Sequence, residues 1–455
     1  MHHPNLRFLL GVPGAIFLIA AGGDFARAEQ RPVGASVPTA ASMEDDRIDD
    51  WRTVFDDPTL TALLAEALER NLTIENARQR LQQARVLQRG ARNDDRPGAD
   101  LYGAPLQDVP TGDGYYQLGV ATRWELDLFG AGAARDQEAE AKAAAGAAQL
   151  RAARLMIAVA VIQTYYERHQ AQVQLALSRQ SHDLALRAVR LTQSRHEAGL
   201  AAPDEVRAAS QRENRQRIEQ ARLKHQIDRT SWILAALMSR STPMLQDARA
   251  SGHFAAVRFP SELRGDDLRR RPDLMLAEAE VLEAAARVRI ARSALYPRLT
   301  LGGSIGYTHS LSSAPSPGGV APVIGPTIDI PLWDWGRRRA VVNSEDHALS
   351  GALALYRQAV IDAASEAHTA LSALEQQQAV VATRREAVDA SQQSLDAWTT
   401  RYDLGLASEL DLIQPEVDLL DARSALVGAR LDSILALLAV YKAAGGPPSV
   451  AGETP

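Results

Sequence analysis

The side chains able to perform covalent or acid–base chemistry are scattered along this chain without a catalytic arrangement. The ten histidines show no metal-ligand spacing, and neither a phosphate-binding glycine loop nor a G-x-S-x-G elbow occurs. Cysteine is absent, which excludes disulfides, thiol catalysis, thiolate metal sites and lipidation of an N-terminal cysteine. We therefore expect neither an enzyme nor a bound cofactor or metal.

Charged and apolar residues do recur together at two places. The stretches "RHEAGLAAPDEV" (195–206) and "RYDLGLASELDL" (401–412) each place a Gly-Leu pair after an arginine and before an acid. Gly199 and Gly405 suit the left-handed position that ends a helix. We interpret both stretches as turns between long helices.

The elements around these turns recur as well, which predicts a tandem duplication. Residues 71–97 align with residues 271–297, and both segments end in a proline. "WELDLFGAG" (124–132) then aligns with "IDIPLWDWG" (328–336). Chance similarity between alanine-rich helices would explain the alanines but not the turns and prolines.

Each half contains a long stretch without proline, at 135–198 and at 337–404. At 1.5 Å per residue, each would form a helix of roughly 95 to 100 Å. Helices of this length are stable only when they pack lengthwise on others. Apolar residues at heptad spacing, such as Leu177, Leu184 and Leu191, predict coiled-coil packing.

Each half also contains a strand hairpin, predicted at 97–129 and 297–333. In the first hairpin only residues 115–129 have a clear strand pattern, because the preceding segment is rich in Asp, Gly and Pro. Four strands are too few to close a barrel, and an open hairpin leaves unpaired edges. An exported chain could complete a barrel with copies of itself, since only helices and closed barrels satisfy the backbone in a membrane.

The N-terminus predicts export. An apolar run after Arg7 is followed by an A-x-A site formed by Ala26 and Ala28, which indicates a signal peptide and a mature start near Glu29. No later stretch approaches 18 uninterrupted apolar residues, so we expect no transmembrane helix. A net charge of −6 and 5% aromatic residues do not fit a nucleic-acid binder.

The predicted organisation of the chain has five parts. They are a signal peptide (1–28), an extended segment (29–57), a first repeat (58–250, turn near 199–204), a second repeat (251–443, turn near 405–409) and a tail (444–455).

In order and spacing, several motifs resemble the TolC-type outer-membrane factor family, particularly its NodT/OprM branch. They include "WELDLFG", "RRPDLMLAEAE" (270–280), "PLWDWGRRRA", "RYDLGLASELDL" and the closing "AVYKAAGG". The resemblance implies a mainly α fold with a β-barrel part. Long tandem-repeat helices would form an α-helical coiled-coil barrel in the periplasm. Four strands from each of three chains would form a 12-stranded transmembrane β-barrel in the outer membrane.

The resemblance also implies a function and partners. The protein would be the homotrimeric exit duct of a tripartite efflux pump for small toxic compounds, surrounded by outer-membrane lipid. Its partners would be a periplasmic membrane-fusion adaptor and an inner-membrane pump of the RND, MFS or ABC type. Two alternatives remain open: the duct of a type I protein secretion system, and a soluble periplasmic coiled-coil scaffold or adaptor.

In the family, the two helical turns form the periplasmic tip where the adaptor docks. The matching docking residues here are Ala198, Gly199, Leu200, Leu404, Gly405 and Leu406. The alternative is that the glycines are simply good turn residues.

The resemblance also places a gate at this tip. Asp411 matches a ring of pore aspartates, and three copies of it would favour cations and raise one another's pKa. A simpler interpretation is an acid that stabilises the start of its own helix. Tyr402 and Glu205 match a tyrosine–acid latch, although Tyr402 also continues a heptad.

The chain departs from the family pattern in three ways. Gln414 stands where a second gate aspartate is expected, and Ala407 where TolC has a latch arginine. The cysteine that carries the lipid in many NodT-branch members is missing, so no N-terminal lipid anchor is expected. Of the two arginine clusters, we interpret 269–271 as a solvated helix start and 337–339 as lying at the periplasmic membrane boundary.

Overall fold

The computed structural model of the protein describes residues 51, 54, 55, 57–107, 114–243, 268–310 and 319–447. The predicted signal peptide, most of the extended segment 29–57 and residues 448–455 of the predicted tail lie outside the described residues. Along the chain the elements are α1 (Pro58–Arg70), α2 (Leu72–Ala91), β1 (Gly98–Gln107), β2 (Gly114–Leu126), α3 (Ala131–Glu197), α4 (Pro203–Leu237), α5 (Pro272–Ser293), β3 (Arg298–Ser310), β4 (Gly319–Asp329), α6 (Arg337–Asp403) and α7 (Glu409–Ala443).

The two halves of the chain contain helices of equal length. Helices α3 and α6 have 67 residues each, or about 100 Å, and α4 and α7 have 35 residues each. Both 67-residue helices begin after a glycine with left-handed backbone, Gly130 with φ 77° and Gly336 with φ 84°. Such equality of length and of start signal is what a tandem duplication predicts.

The four strands form one antiparallel sheet in the order β1-β2-β3-β4. Strand β1 is the first strand of the hairpin predicted at 97–129, although Gly, Asp and Pro interrupt its alternation and leave it without a clear strand pattern. Its Pro105 is tolerated since β1 lies at an edge of the sheet, and β4, the other edge strand, contains Pro322 and Pro326. Strand β2 ends at Leu126, three residues before the predicted end.

The strand register separates the sheet into two different faces. Leu101 pairs with Val120, and Val120 with Ile305, so these side chains share one face. That face carries solvent-exposed apolar residues on all four strands: Leu101, Tyr116, Leu118, Val120, Leu301, Ile305, Tyr307, Val320, Ile324 and Ile328. Where side chains are described, the opposite face carries small and polar residues, apart from Tyr102 and Val323: Asp100, Gln117, Arg123, Glu125, Thr300, Ser304, Thr308, Thr327 and Asp329. One face therefore suits an apolar environment and the other suits water.

The largest hydrophobic core lies where the N-terminal segment meets the helices. Phe55, Leu60, Ile162, Leu437 and Tyr441 are all at most 2% exposed within it. Burying such side chains is the main source of stability for the packed helices, at about 1.5–3 kcal/mol for each.

A polar cluster at the edge of this core fixes the first helix. Asp57 caps α1 by accepting hydrogen bonds from the amides of Thr59 (2.8 Å) and Leu60 (3.1 Å). Its second oxygen accepts from the Tyr165 hydroxyl at 2.6 Å. Burial, and then the hydrogen bond to Asp57, raises the pKa of Tyr165, so the phenol remains a donor.

In the part of the chain that the structure describes, two helices, α3 and α7, contain an 18-residue window apolar enough to cross a membrane by length and composition alone. This differs from the sequence expectation, which considered only uninterrupted apolar runs. In α7, 61% of the window is buried inside the structure, as in the core helix of a soluble bundle, and in α3 the share is 33%.

The arginines at the start of α5 do not all lie on a solvated surface, which corrects the sequence interpretation. Arg269 and Arg270 are exposed, but Arg271 is buried at 6% exposure. A buried guanidinium needs hydrogen-bonding partners, and these are described below.

Candidate functional site

The two predicted turns are built by the same hydrogen-bond pattern. At the end of α3, the amide of Gly199 donates to the His196 carbonyl (2.9 Å) and that of Leu200 donates to the Arg195 carbonyl (2.7 Å). At the end of α6, Gly405 donates to the Tyr402 carbonyl (2.9 Å) and Leu406 to the Arg401 carbonyl (2.8 Å). This pair of bonds is the Schellman motif, which satisfies the last carbonyls of a helix.

The turns present an open apolar surface. Gly199 (φ 78°) and Gly405 (φ 72°) are left-handed, and no atom lies within 4 Å of where a Cβ would be. Leu200, Leu404 and Leu406 are 69%, 69% and 75% exposed, and Ala198 is also exposed. Another protein can therefore approach the glycine backbone and contact the leucines without displacing anything.

The acids of both turns close the start of their own helices. Glu205 Oε1 accepts from the Ala202 amide (2.9 Å) at the start of α4. Asp411 Oδ2 accepts from the Ser408 amide (2.8 Å) and the Ser408 hydroxyl (2.6 Å) at the start of α7. The simpler interpretation of Asp411, as an acid that stabilises its own helix start, describes its contacts in the single chain.

The two residues of the predicted latch, Tyr402 and Glu205, are not hydrogen-bonded to each other within one chain. Tyr402 lies in the last turn of α6 and is 41% exposed. Among the described residues, no hydrogen bond links its phenol to Glu205, whose Oε1 is occupied by the Ala202 amide.

An ion pair joins the helical hairpin α3–α4 to the helical hairpin α6–α7, and sequence reasoning missed it. Arg187 on α3 forms an ion pair with Glu409, the first residue of α7. Arg195, near the end of α3, acts electrostatically on Asp411. The end of α3 therefore lies beside the start of α7. Nothing local in the sequence pairs Arg187 with Glu409, because 222 residues separate them.

These surroundings set the charge state of Asp411. The hydrogen bonds from the Ser408 hydroxyl and amide, and then the positive charge of Arg195, hold the pKa of Asp411 below its ordinary value. This direction is opposite to the one expected for a ring of three aspartates, which needs two further chains. At neutral pH the carboxylate of the single chain is ionised.

The two turns differ in how they are fastened. His196 Nδ1 lies 2.8 Å from the Ala201 carbonyl oxygen across the first turn, and Pro203 begins α4. At the second turn, Arg401 instead lies over the Trp398 ring, 4.8 Å from its centroid. The first turn is thus tied across its loop, whereas at the second turn the Ser408 hydroxyl adds a second hydrogen bond to the acid that caps the helix.

The arrangement combines an exposed apolar surface with charged side chains. Among them, no group of three or more His, Cys, Asp or Glu is placed to hold a metal ion. An exposed apolar turn beside ionised carboxylates suits docking of a protein and selection of ions.

The sequence matches the family described as "Outer membrane efflux protein" over residues 63–240 and 263–446. It is 26% identical over 434 residues to the toluene efflux pump outer membrane protein TtgI of Pseudomonas putida, covering 93% of this chain and 90% of that protein. It is 25% identical over 395 residues to nodulation protein T of Rhizobium leguminosarum, covering 85% and 82%.

The fold is also found in solved structures. The outer membrane protein VceC from Vibrio cholerae superposes with a TM-score of 0.73 and 26% sequence identity, covering 87% of this chain and 98% of that one. This likeness confirms the predicted fold class, in which long helices are combined with a smaller β part.

We predict that Gly199→Ala and Gly405→Ala loosen their turns, because each would hold an alanine in the left-handed region at a cost of about 1–2 kcal/mol. Hydrogen–deuterium exchange of the last turns of α3 and α6 should become faster. The matched control is Gly90→Ala in α2, where the added Cβ also meets no atom within 4 Å but the backbone is not left-handed. Unchanged exchange at the turns would contradict the assigned geometry.

Proposed function

Because the chain belongs to the outer membrane efflux protein family, we propose that it forms the exit duct of a tripartite pump that expels small toxic compounds. The observation that carries the proposal is the sheet with one exposed apolar face and one polar face. In an outer-membrane barrel, lipid-facing and lumen-facing residues alternate in this way.

The proposal includes a homotrimer. A sheet of four strands leaves the edges of β1 and β4 unpaired, and a closed barrel removes such edges. Three copies would supply twelve strands. The helices favour the same assembly: α4 packs mainly against α3, and its Ile218 and Trp232 remain 70% and 54% exposed. On α6, Leu355 and Ile361 are 65% and 61% exposed, so α6 also has apolar surface for a neighbouring copy.

Outer-membrane lipid is proposed to surround the apolar face of the sheet. At the junction between sheet and helices, Trp333 and Trp335 are 76% and 89% exposed and pack edge to face at 5.4 Å. Phe129 stacks on Tyr296 at 4.7 Å in the corresponding connections of the chain. Aromatic residues concentrate where a membrane meets water, so this junction marks the periplasmic boundary of the bilayer. The arginines at 337–339 begin α6 immediately beyond it.

Deletion of the gene should sensitise cells to toxic small molecules without stopping export of a large protein, because the cell would lose the exit duct for those compounds.

The protein should fractionate with the outer membrane and should be extracted by detergent as a trimer. The physical reason is that the apolar face of the sheet must be covered by lipid or detergent. A soluble periplasmic monomer would identify a coiled-coil scaffold instead. Loss of protein export with normal resistance would identify a secretion duct.

We further propose that the turns carrying Ala198, Gly199 and Leu200, and Leu404, Gly405 and Leu406, dock on a periplasmic membrane-fusion adaptor. Support comes from the exposure of the three leucines and the open space around both glycines. An inner-membrane pump would deliver the cargo through this contact, and its class is left open.

The double variant Leu200→Asp/Leu406→Asp should abolish efflux while trimers remain intact, because two apolar contacts become charged. Efflux is measured as accumulation of a fluorescent pump substrate, and trimers by gel filtration in detergent. The control Leu200→Met/Leu406→Met keeps the apolar surface and should retain efflux. Normal efflux in the aspartate variant would argue against docking at the turns.

For the gate, we propose that Asp411 of three copies lines the narrow end of the duct, with Tyr402 and Glu205 latching neighbouring hairpins. The exposure and ionised state of Asp411 favour this role. Glu205 can serve only if the bond to the Ala202 amide leaves its second oxygen for the phenol of Tyr402.

Asp411→Ala should lower the cation selectivity of single channels in planar bilayers, because the fixed negative charge is removed. Asp411→Glu keeps the charge and should retain the selectivity. Equal selectivity of the alanine variant and the wild type would exclude the ring.

A further inference from the structure

Two sequence motifs that the proposed function leaves unexplained meet in space, although about 170 residues separate them. "RRPDL" lies at the start of α5, and "YKAAGG" lies at the end of α7. Arg271 is the residue immediately before α5, and its side chain joins the two motifs.

The Arg271 guanidinium bonds to three different helices. Its Nη1 donates to the Ala443 carbonyl at the end of α7 (2.9 Å), and its Nη2 donates to Glu366 Oε2 in the middle of α6 (2.6 Å). Nε and Nη2 also donate to Asp273 in the first turn of α5, at 3.1 and 2.8 Å. Glu366 is held from its other side by Lys442 at 3.7 Å.

The backbone just after α7 also packs directly against the backbone just before α5. Gly445 is left-handed (φ 74°), and a Cβ at this position would lie 2.8 Å from the carbonyl of Arg270 and the amide of Arg271. A side chain would therefore push α7 away from the start of α5, which explains why glycine follows "YKAA".

The first repeat has a simpler version of this joint. Asn71, immediately before α2, caps that helix through Oδ1 and donates through Nδ2 to the carbonyl of Leu237 at the end of α4 (2.8 Å). Both repeats thus use a buried polar residue to hold the end of the returning helix. The bonds described for Asn71 reach no residue of α3, whereas Arg271 also holds α6.

Position along the helix makes this additional bond significant. Glu366 lies 37 residues before the end of α6 at Asp403, or roughly 55 Å from the turn. A small rotation of α6 at Glu366 therefore becomes a displacement of several ångströms at Tyr402 and Leu404. Helix α5 leads directly into β3, so Arg271 fixes α6 and α7 relative to the strand-bearing part of the chain.

We propose that Arg271, acting through Glu366 and the Ala443 carbonyl, is a positioning residue that sets the resting angle of the α6–α7 hairpin and so keeps the duct closed at its periplasmic end. The inference rests on the proposed channel function. In this proposal, the bonds of Arg271 at the base of the α6–α7 hairpin contribute to closing the duct, in addition to the residues of the turn.

The test is Glu366→Gln, which keeps the size of the side chain and removes its charge. The resting conductance of single channels in planar bilayers should rise severalfold, and cells should admit a large hydrophilic antibiotic that the wild type excludes. Arg271→Lys, which keeps the charge but cannot reach all three partners, should show an intermediate increase.

Arg240→Gln is the matched control. Arg240 lies just beyond α4 at the base of the α3–α4 hairpin. Its Nε and Nη2 donate to the two carboxylate oxygens of Glu66, at 2.6 and 2.7 Å. Its loss should lower thermal stability but leave the resting conductance unchanged.

Three results separate the possibilities. Wild-type conductance in Glu366→Gln trimers would overturn the inference, and so would an equal increase in Arg240→Gln, because that would indicate general loosening. If the wild-type protein itself formed no channel, the proposed function would fail before the inference was reached.

Discussion

The arrangement of the other elements depends on one constraint: the two helices of 67 residues must be packed along their length against other helices. A helix about 100 Å long cannot hold itself straight in water, so it needs neighbours along its whole length. Helix α3 has them, since α1, α2, α4, α5 and α7 all pack on it. Helix α6 packs mainly on α5 and α7, so it depends on far fewer contacts. Helix α3 is therefore the central helix of the chain, whereas α6 depends more on specific bonds such as that of Arg271 with Glu366.

Periodicity in the sequence was sufficient to predict the long helices, their turns and the duplication. Heptad spacing and the absence of proline identify a lengthwise-packed helix whatever its partners are. The extent of β1 was unclear in the sequence because its identity depends on its neighbours: Pro105 is tolerated at the edge of a sheet that β2 and β3 define. The burial of Arg271 was not predicted for a similar reason. Its partners on α6 and α7 are distant in sequence, and nothing local distinguishes it from Arg269 and Arg270.

The candidate site shows how far a repeat can diverge while its backbone is retained. Both turns have the same hydrogen bonds and the same left-handed glycine. Their side chains differ, because Ser408 and Asp411 hold the second turn while His196 and Pro203 stiffen the first. Contacts between the two helical hairpins, such as that of Arg187 with Glu409, cannot be derived from either hairpin alone.

The prolines of the two edge strands affect how the newly synthesised chain can pair with other strands before it assembles. In the proposed assembly, a monomer that has not yet joined other copies has two uncovered rows of backbone donors and acceptors, to which any extended peptide could add. Pro105 in β1, and Pro322 and Pro326 in β4, delete donors from the two outermost strands. A strand of another protein can then form a complete set of hydrogen bonds in fewer registers. These prolines therefore protect the chain from mispairing on its way to the membrane.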